Sequence, residues 1–271
     1  MKQIVFEEVN DCNLTHIFEC GQCFRWNKAE ESYIGVVGRY ACRAHIIDTS
    51  GALVLEVSGG DEAFWRNYFD LDTDYSRIKQ SLVESDPLIA DACEYGRGIR
   101  ILNQDVFETI ISFIISQNNN IPRIKKNIES ICRKYGEPLG ELWGEERYAF
   151  PAAEVLANAD VDALAEMKLG YRSEYIVRAA RRYLEEGAPA DYESVLDYYG
   201  IGPKVANCIM LFGLHSVDAF PVDTWVKQIM NDMYGFETAD VKGMSRFAEE
   251  RFGKYAGYAQ QYLFYYYRDR R

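Results

Sequence analysis

The stretch VLDYYGIGPKVANCIMLFGLHSVDAFPVDTWVKQIM, residues 195–230, decides how this chain is read. One helix, spanning about 191–198, ends at Tyr199-Gly200-Ile201-Gly202, and another starts at Pro203. Proline is favoured in a helix's first turn because its missing N–H is not needed there. Gly200 and Gly202, flanking one apolar residue, permit a tight hairpin with outward-facing backbone amides. With the positive end of the following helix, such a hairpin can cradle an anion such as a DNA phosphate. Taken alone, Gly-x-Gly reads more simply as a turn between packed helices.

Lys204 changes that balance. In the first helical turn the dipole disfavours its charge, and burial would lower its pKa further. A lysine with a depressed pKa is a nucleophile, although most lysines are merely solvated. Asp223 follows nineteen residues later, in Phe-Pro-Val-Asp-Thr-Trp-Val, where it can cap the next helix. A carboxylate at that turn can also stabilise positive charge developing on a sugar.

Outward from this centre the patterns sort into two parts. Residues 33–59 alternate in short β-branched and aromatic runs broken by Asp-Thr-Ser-Gly, the mark of strands and a turn. From about residue 62 the spacing is helical and remains so. VFETIISFIISQ (106–117) is apolar nearly all round, as a buried helix is, and stops at Asn118-Asn119-Asn120. Further helices are expected at about 122–135, 153–166, 173–186, 203–213, 223–234, 242–252 and 255–268. The expected fold class is α+β: an N-terminal antiparallel-sheet domain over 1–94 packed on a helical domain over 95–271.

Composition bounds the function. At 271 residues and 48% hydrophobic, the chain is globular, and no run of about 18 apolar residues spans a membrane. The N-terminus turns acidic within seven residues, unlike a secretion signal, so a cytoplasmic monomer is expected. Seven scattered cysteines read as free thiols, and neither they nor the three histidines have metal-ligand spacing. No metal and no cofactor are implied. The net charge of −12 argues against a polyanionic partner, yet residues 95–134 carry 7 basic against 3 acidic side chains. Further basic residues lie in KLGYRSEYIVRAARR and the terminal RDRR.

Gly-Ile-Gly-Pro-Lys-Val-Ala followed by Pro-Val-Asp-Thr resembles the helix-hairpin-helix plus Gly/Pro/Asp motif of base-excision DNA glycosylases. A lysine in this motif marks the bifunctional branch, which removes a base and nicks the abasic site. The endonuclease III branch adds a cysteine-ligated iron–sulfur cluster near its C-terminus, and this chain has no cysteine beyond Cys208. CGQCFRW (20–26), NNNIPRI (118–124), LGYR (169–172) and YAGYAQQYLF (255–264) are similar to blocks of the 8-oxoguanine DNA glycosylases. The resemblance runs from about residue 14 to 268.

It implies a role for each matching residue. Lys204 would attack the anomeric carbon to form a Schiff base, with Asp223 stabilising the oxocarbenium-like transition state. The nucleotide must flip out of the stack to be reached. Cys208 and Phe264 would enclose the flipped base, while Gln260 hydrogen-bonds its pairing edge. Asn118 would fill the vacated space and Tyr171 wedge beside it. Arg123 and Arg172 would bond the orphaned cytosine, whose edge offers two acceptors to guanidinium donors. The implied partner is double-stranded DNA containing oxidised guanine opposite cytosine. Two residues depart from the family pattern: Tyr199 replaces a proline, and Trp225 a histidine of eukaryotic relatives.

Cys20-Gly21-Gln22-Cys23 looks like a metal or redox motif, yet relatives commonly have serine at both cysteine positions, so neither thiol is expected to be required. Attention moves to Gly21. Its carbonyl can accept the hydrogen that 8-oxoguanine carries on ring nitrogen seven and guanine lacks, and glycine permits the close approach.

Overall fold

Five strands make one antiparallel sheet in this computed structural model, which describes residues 1–47 and 49–270. They are β1 (Lys2–Phe6), β2 (Asn27–Ala29), β3 (Ser32–Val37), β4 (Tyr40–Ile47) and β5 (Ala52–Val57), in the spatial order β1-β5-β4-β3-β2. Strand β5 lies between β1 and β4, pairing Leu55 with both Ile4 and Ala44. Strands β4 and β5 meet at the expected turn, where the Ile47 carbonyl accepts from Gly51 N at 2.8 Å. Asp48 of that turn and Arg271 of the basic terminus lie outside the described residues. One sheet face is sealed by aromatics: Trp26 stacks on Phe18 at 4.1 Å and donates from Nε1 to the Tyr68 hydroxyl at 2.7 Å. Offset stacking of this kind adds specificity to a large buried area.

The helical part is built around Val106–Ser116, in which Ile110, Ile111, Ile114 and Ile115 have no exposed surface. Its all-round apolar pattern is satisfied because helices Ile121–Tyr135, Arg172–Glu186 and Pro203–Phe212 pack about it. Tyr75, Ile78, Leu82, Ile89 and Cys93 also join this helical core rather than the sheet core. Arg25 crosses between the two parts, donating to the Tyr148 carbonyl and lying 3.6 Å from Glu108. Burial pushes the Glu108 carboxyl up to about 7, against the opposite pull of Arg25.

Two expectations need correction. The helical spacing expected throughout the chain after residue 62 is interrupted by a hairpin, Pro138–Leu142 paired with Glu145–Tyr148. Trp143 and Gly144 both take positive φ, +51° and +78°, which is the twist a two-residue hairpin turn needs. The helix expected over 153–166 is split into Ala153–Ala157 and Val161–Leu164. Asn158 folds back on the Glu154 carbonyl, and Asp160 caps the second piece through Asp162 N. The second piece runs on as a π-type turn, Ala165–Leu169, with Lys168 at φ +65°. Asn127 holds that turn by donating to the Met167 carbonyl at 2.7 Å.

Candidate active site

The hairpin at 199–202 is tight because Gly200 sits at φ +80°, a conformation L residues rarely adopt. A Cβ at Gly200 would also lie 2.2 Å from the Tyr175 ring. Gly202 is extended and precedes Pro203, which begins helix Pro203–Phe212. Gly200→Ala therefore combines backbone strain with a ring clash. It should lower stability by about 1–3 kcal/mol and weaken duplex binding, read by thermal melting and a fluorescence titration. Unchanged melting and binding would show that the hairpin tolerates a side chain.

From this helix Lys204 and Cys208 project one turn apart on the same face. Asp223 caps the helix Thr224–Tyr234, its Oδ1 accepting from Val226 N at 2.8 Å. Those two helices, the loop at Gly21 and helix Ala256–Asp269 converge on one cavity of about 50 Å³. Lys204, Cys208, Asp223, Gly21, Gln260 and Phe264 all line it. The cavity meets a cleft of about 790 Å³ that runs from Lys204, Asp223 and Phe264 to Gln117, Asn118 and Asn119.

The charge state of Lys204 differs from the expectation. Its pKa is raised, first by Cys208 and then by Asp223, while burial pulls the other way. Nearby groups that favour the ammonium thus outweigh burial. Burial raises the Cys208 pKa, and the Lys204 ammonium beside it pulls the other way. Burial likewise raises the Asp223 carboxyl, opposed by the Val226 amide and by Lys204. The resting site therefore holds an ammonium beside a carboxylate that takes a proton more readily than usual.

Gly21 has φ +81°, and a Cβ there would stand 3.4 Å from the Phe264 ring. Gln260 is buried, and among the described residues its Oε1 has no hydrogen-bond partner. An acceptor left bare in a cavity costs roughly 1–3 kcal/mol unless something occupies the space beside it. The flanking thiols face different ways. Cys20 packs in the helical core, donates to the Ile17 carbonyl at 3.2 Å and accepts from Gln261 at 3.3 Å. Cys23 belongs to the sheet core.

At the far end of the cleft Asn118 takes φ +47° and donates to the Tyr171 hydroxyl at 3.3 Å. Arg172 is buried beneath this loop. It donates to the carbonyls of Gln117, Asn118 and Leu169, with its guanidinium 4.7 Å from the Tyr171 ring. Arg123 reaches the Lys168 carbonyl at 3.3 Å. Asn118, Arg123, Tyr171 and Arg172 thus form one cluster, separate from the cavity residues. Tyr175 links the cluster to the hairpin, meeting Tyr171 at 5.2 Å and Tyr199 at 5.1 Å.

Four lining residues escaped the sequence reading or entered it without a site role. Phe113, read as core, has its ring 5.7 Å from the Lys204 ammonium. Trp225, Lys227 and Arg268 line the cleft. Arg268 lies one turn after Phe264, and that helical spacing was a signal for it. Trp225 and Lys227 follow Asp223 at spacings that carry no such signal.

Similarity to known proteins extends along the whole chain. Residues 4–110 match the 8-oxoguanine DNA glycosylase N-terminal domain, and residues 111–254 match the HhH-GPD superfamily base excision DNA repair proteins. The N-glycosylase/DNA lyase of Saccharomyces cerevisiae is 32% identical over 257 residues, covering 82% of this chain and 68% of the yeast protein. MBOgg1, solved with a low-affinity DNA ligand, superposes with a TM-score of 0.92 at 37% identity, over 100% of this chain and 96% of that one. The Clostridium acetobutylicum 8-oxoguanine glycosylase/lyase, solved with DNA containing cytosine opposite 8-oxoG, has a TM-score of 0.90 at 37% identity, covering 98% of each chain. This chain therefore belongs to the HhH-GPD superfamily of base excision DNA repair proteins, in the group that carries the 8-oxoguanine DNA glycosylase N-terminal domain.

Proposed function

We propose that this protein is a bifunctional DNA glycosylase and β-lyase. It excises 8-oxoguanine, and formamidopyrimidine-guanine, opposite cytosine in duplex DNA, then cleaves the abasic site through a Schiff base. The observation that carries this reading is the convergence of Lys204 and Asp223 with Gly21, Gln260 and Phe264 on one cavity. A phosphate-binding module alone has no use for a bare amide acceptor beside a buried lysine and carboxylate. The protein's proposed place is the cytoplasm, in association with the nucleoid if the source is bacterial. Among the described residues no helix is long and apolar enough to cross a membrane.

The steps follow from the residues. The lesion nucleotide rotates out of the duplex into the cavity, where Phe264 and Cys208 flank the base and Gln260 bonds its edge. Asn118 and Tyr171 occupy the vacated space, and Arg123 and Arg172 bond the orphaned cytosine. Lys204 gives up a proton, for which the raised Asp223 carboxyl is the acceptor in the same cavity. The free amine attacks C1′ as the bond from C1′ to the base breaks, its electron pair leaving with the base, which is then protonated. Asp223 hands the proton it took from Lys204 to the departing base and, ionised again, stabilises the positive charge left on the sugar. The C1′–O4′ bond then breaks, the ring oxygen takes up the proton lost from the nitrogen and becomes the 4′ hydroxyl, and an imine to Lys204 remains. Removal of a 2′ proton then expels the 3′ phosphate, and hydrolysis of the imine returns Lys204.

A panel of duplexes varying lesion and opposite base tests the reading, scored for excision and for borohydride trapping. Excision and a covalent adduct should appear on 8-oxoguanine opposite cytosine. Excision of 3-methyladenine with 8-oxoguanine untouched would assign the protein to alkylated purines instead.

A further inference from the structure

We propose that Gln22 and Gln104 are positioning residues that aim the Gly21 carbonyl at the lesion, an inference that rests on reading Gly21 as the sensor of oxidised guanine. Gln22 follows Gly21 directly and is buried. Its carboxamide is fully engaged: Nε2 donates to the carbonyls of Ile17 at 2.9 Å and Arg100 at 2.7 Å, and Oε1 accepts from Leu102 N at 2.9 Å. Its backbone carbonyl accepts from Gln104 Nε2, also at 2.9 Å. The same Gln104 nitrogen lies 3.4 Å from the carbonyl of Phe212, the last residue of the helix that carries Lys204.

Glycine rotates cheaply about its own dihedrals, so a Gly21 carbonyl cannot hold its aim unaided. The peptide joining Gly21 to Gln22 is planar, so fixing Gln22 on two sides leaves only its own φ, narrower than glycine's, to turn that plane. Gln22's side chain ties it to segment 100–102, and Gln104 ties its carbonyl to the end of the nucleophile's helix. Telling a ring N–H from a bare lone pair demands placement of the acceptor oxygen to within about 0.5 Å. The sensor and the nucleophile belong to segments far apart in the chain, and this pair of amides sets their mutual position.

The test compares wild-type full chain with Gln104→Met and Gln22→Met, which keep side-chain length and remove the amide. Single-turnover excision of 8-oxoguanine opposite cytosine is measured beside cleavage of a preformed abasic site. Cleavage of that site needs Lys204 and presents no base to Gly21. Excision by Gln104→Met should fall about tenfold, and by Gln22→Met further, with abasic-site cleavage within about twofold of wild type. Gln104 is only partly buried and makes two bonds, so its variant carries the test if Gln22→Met does not fold. Excision at the wild-type rate in Gln104→Met would overturn the proposal, as would an equal fall in both activities, which marks a purely structural role. Wild-type protein that cuts the abasic site but leaves 8-oxoguanine in place would instead overturn the reading of Gly21, whatever the variants do.

Discussion

Lys204→Gln should form no borohydride-trapped adduct on a duplex with 8-oxoguanine opposite cytosine, and excision should fall by at least about a thousandfold. The expectation follows from place and chemistry together. Lys204 lines the cavity with Asp223 and Cys208, and an amide cannot form an imine with the sugar. Glutamine keeps most of the side chain's volume, so the packing against Phe113 changes little. What is lost is the nucleophile and the ammonium that faces Asp223. Strand cleavage at a preformed abasic site should disappear along with excision, because both use the same amine. A variant that still forms the adduct at the normal rate would place the nucleophile on another residue.

Asp223→Asn should keep the fold and lose most of the excision, by about a hundredfold to ten-thousandfold. Asparagine is as good a helix N-cap as aspartate, so the bond to Val226 N and the start of helix Thr224–Tyr234 should survive. The melting temperature is the control for that. The negative charge facing the developing oxocarbenium ion is what the substitution removes. The pH dependence carries a second expectation. Burial raises the Asp223 pKa, so the carboxylate is protonated at a higher pH than a solvated aspartate would be. Wild-type excision should therefore decline as pH falls through that raised value, and Asp223→Asn should lack this acidic limb. The same sign applies to folding. A carboxyl raised in the folded state destabilises the fold once ionised, so this contribution worsens as pH rises from the unfolded to the folded pKa. Replacement by a neutral amide removes that cost. An Asp223→Asn protein that melts normally and excises at the wild-type rate would show that the carboxylate only caps its helix.

Much of the fold that carries the candidate site was legible because its parts are coded locally. Gly200-Ile201-Gly202-Pro203 spells a turn and a helix start, and the chain folds as that turn and helix. The apolar run 106–117 announced a buried helix, and Asn118–Asn120 announced where it stops. The errors also have local causes. Trp143-Gly144 makes a hairpin inside a stretch otherwise rich in helix formers, and one turn dipeptide is a weak signal against that background. The break at Asn158–Asp160 depends on side-chain bonds to nearby backbone that compete with the helix, and helical spacing alone does not reveal them.

The sequence by itself determined the α+β class and the hairpin and offered the residues proposed for the chemistry, because periodicity, glycine placement and motif resemblance are properties of neighbouring residues. Only the tertiary structure decided the charge of Lys204. Its helix position argued for a lowered pKa, and the facing Cys208 and Asp223 reverse that, through interactions that fall steeply with distance and so require folded positions. The aim of Gly21 was hidden for the same reason. The groups that hold it, Gln22, Arg100, Leu102, Gln104 and Phe212, lie up to 190 residues apart in the chain and meet only where the two cores join.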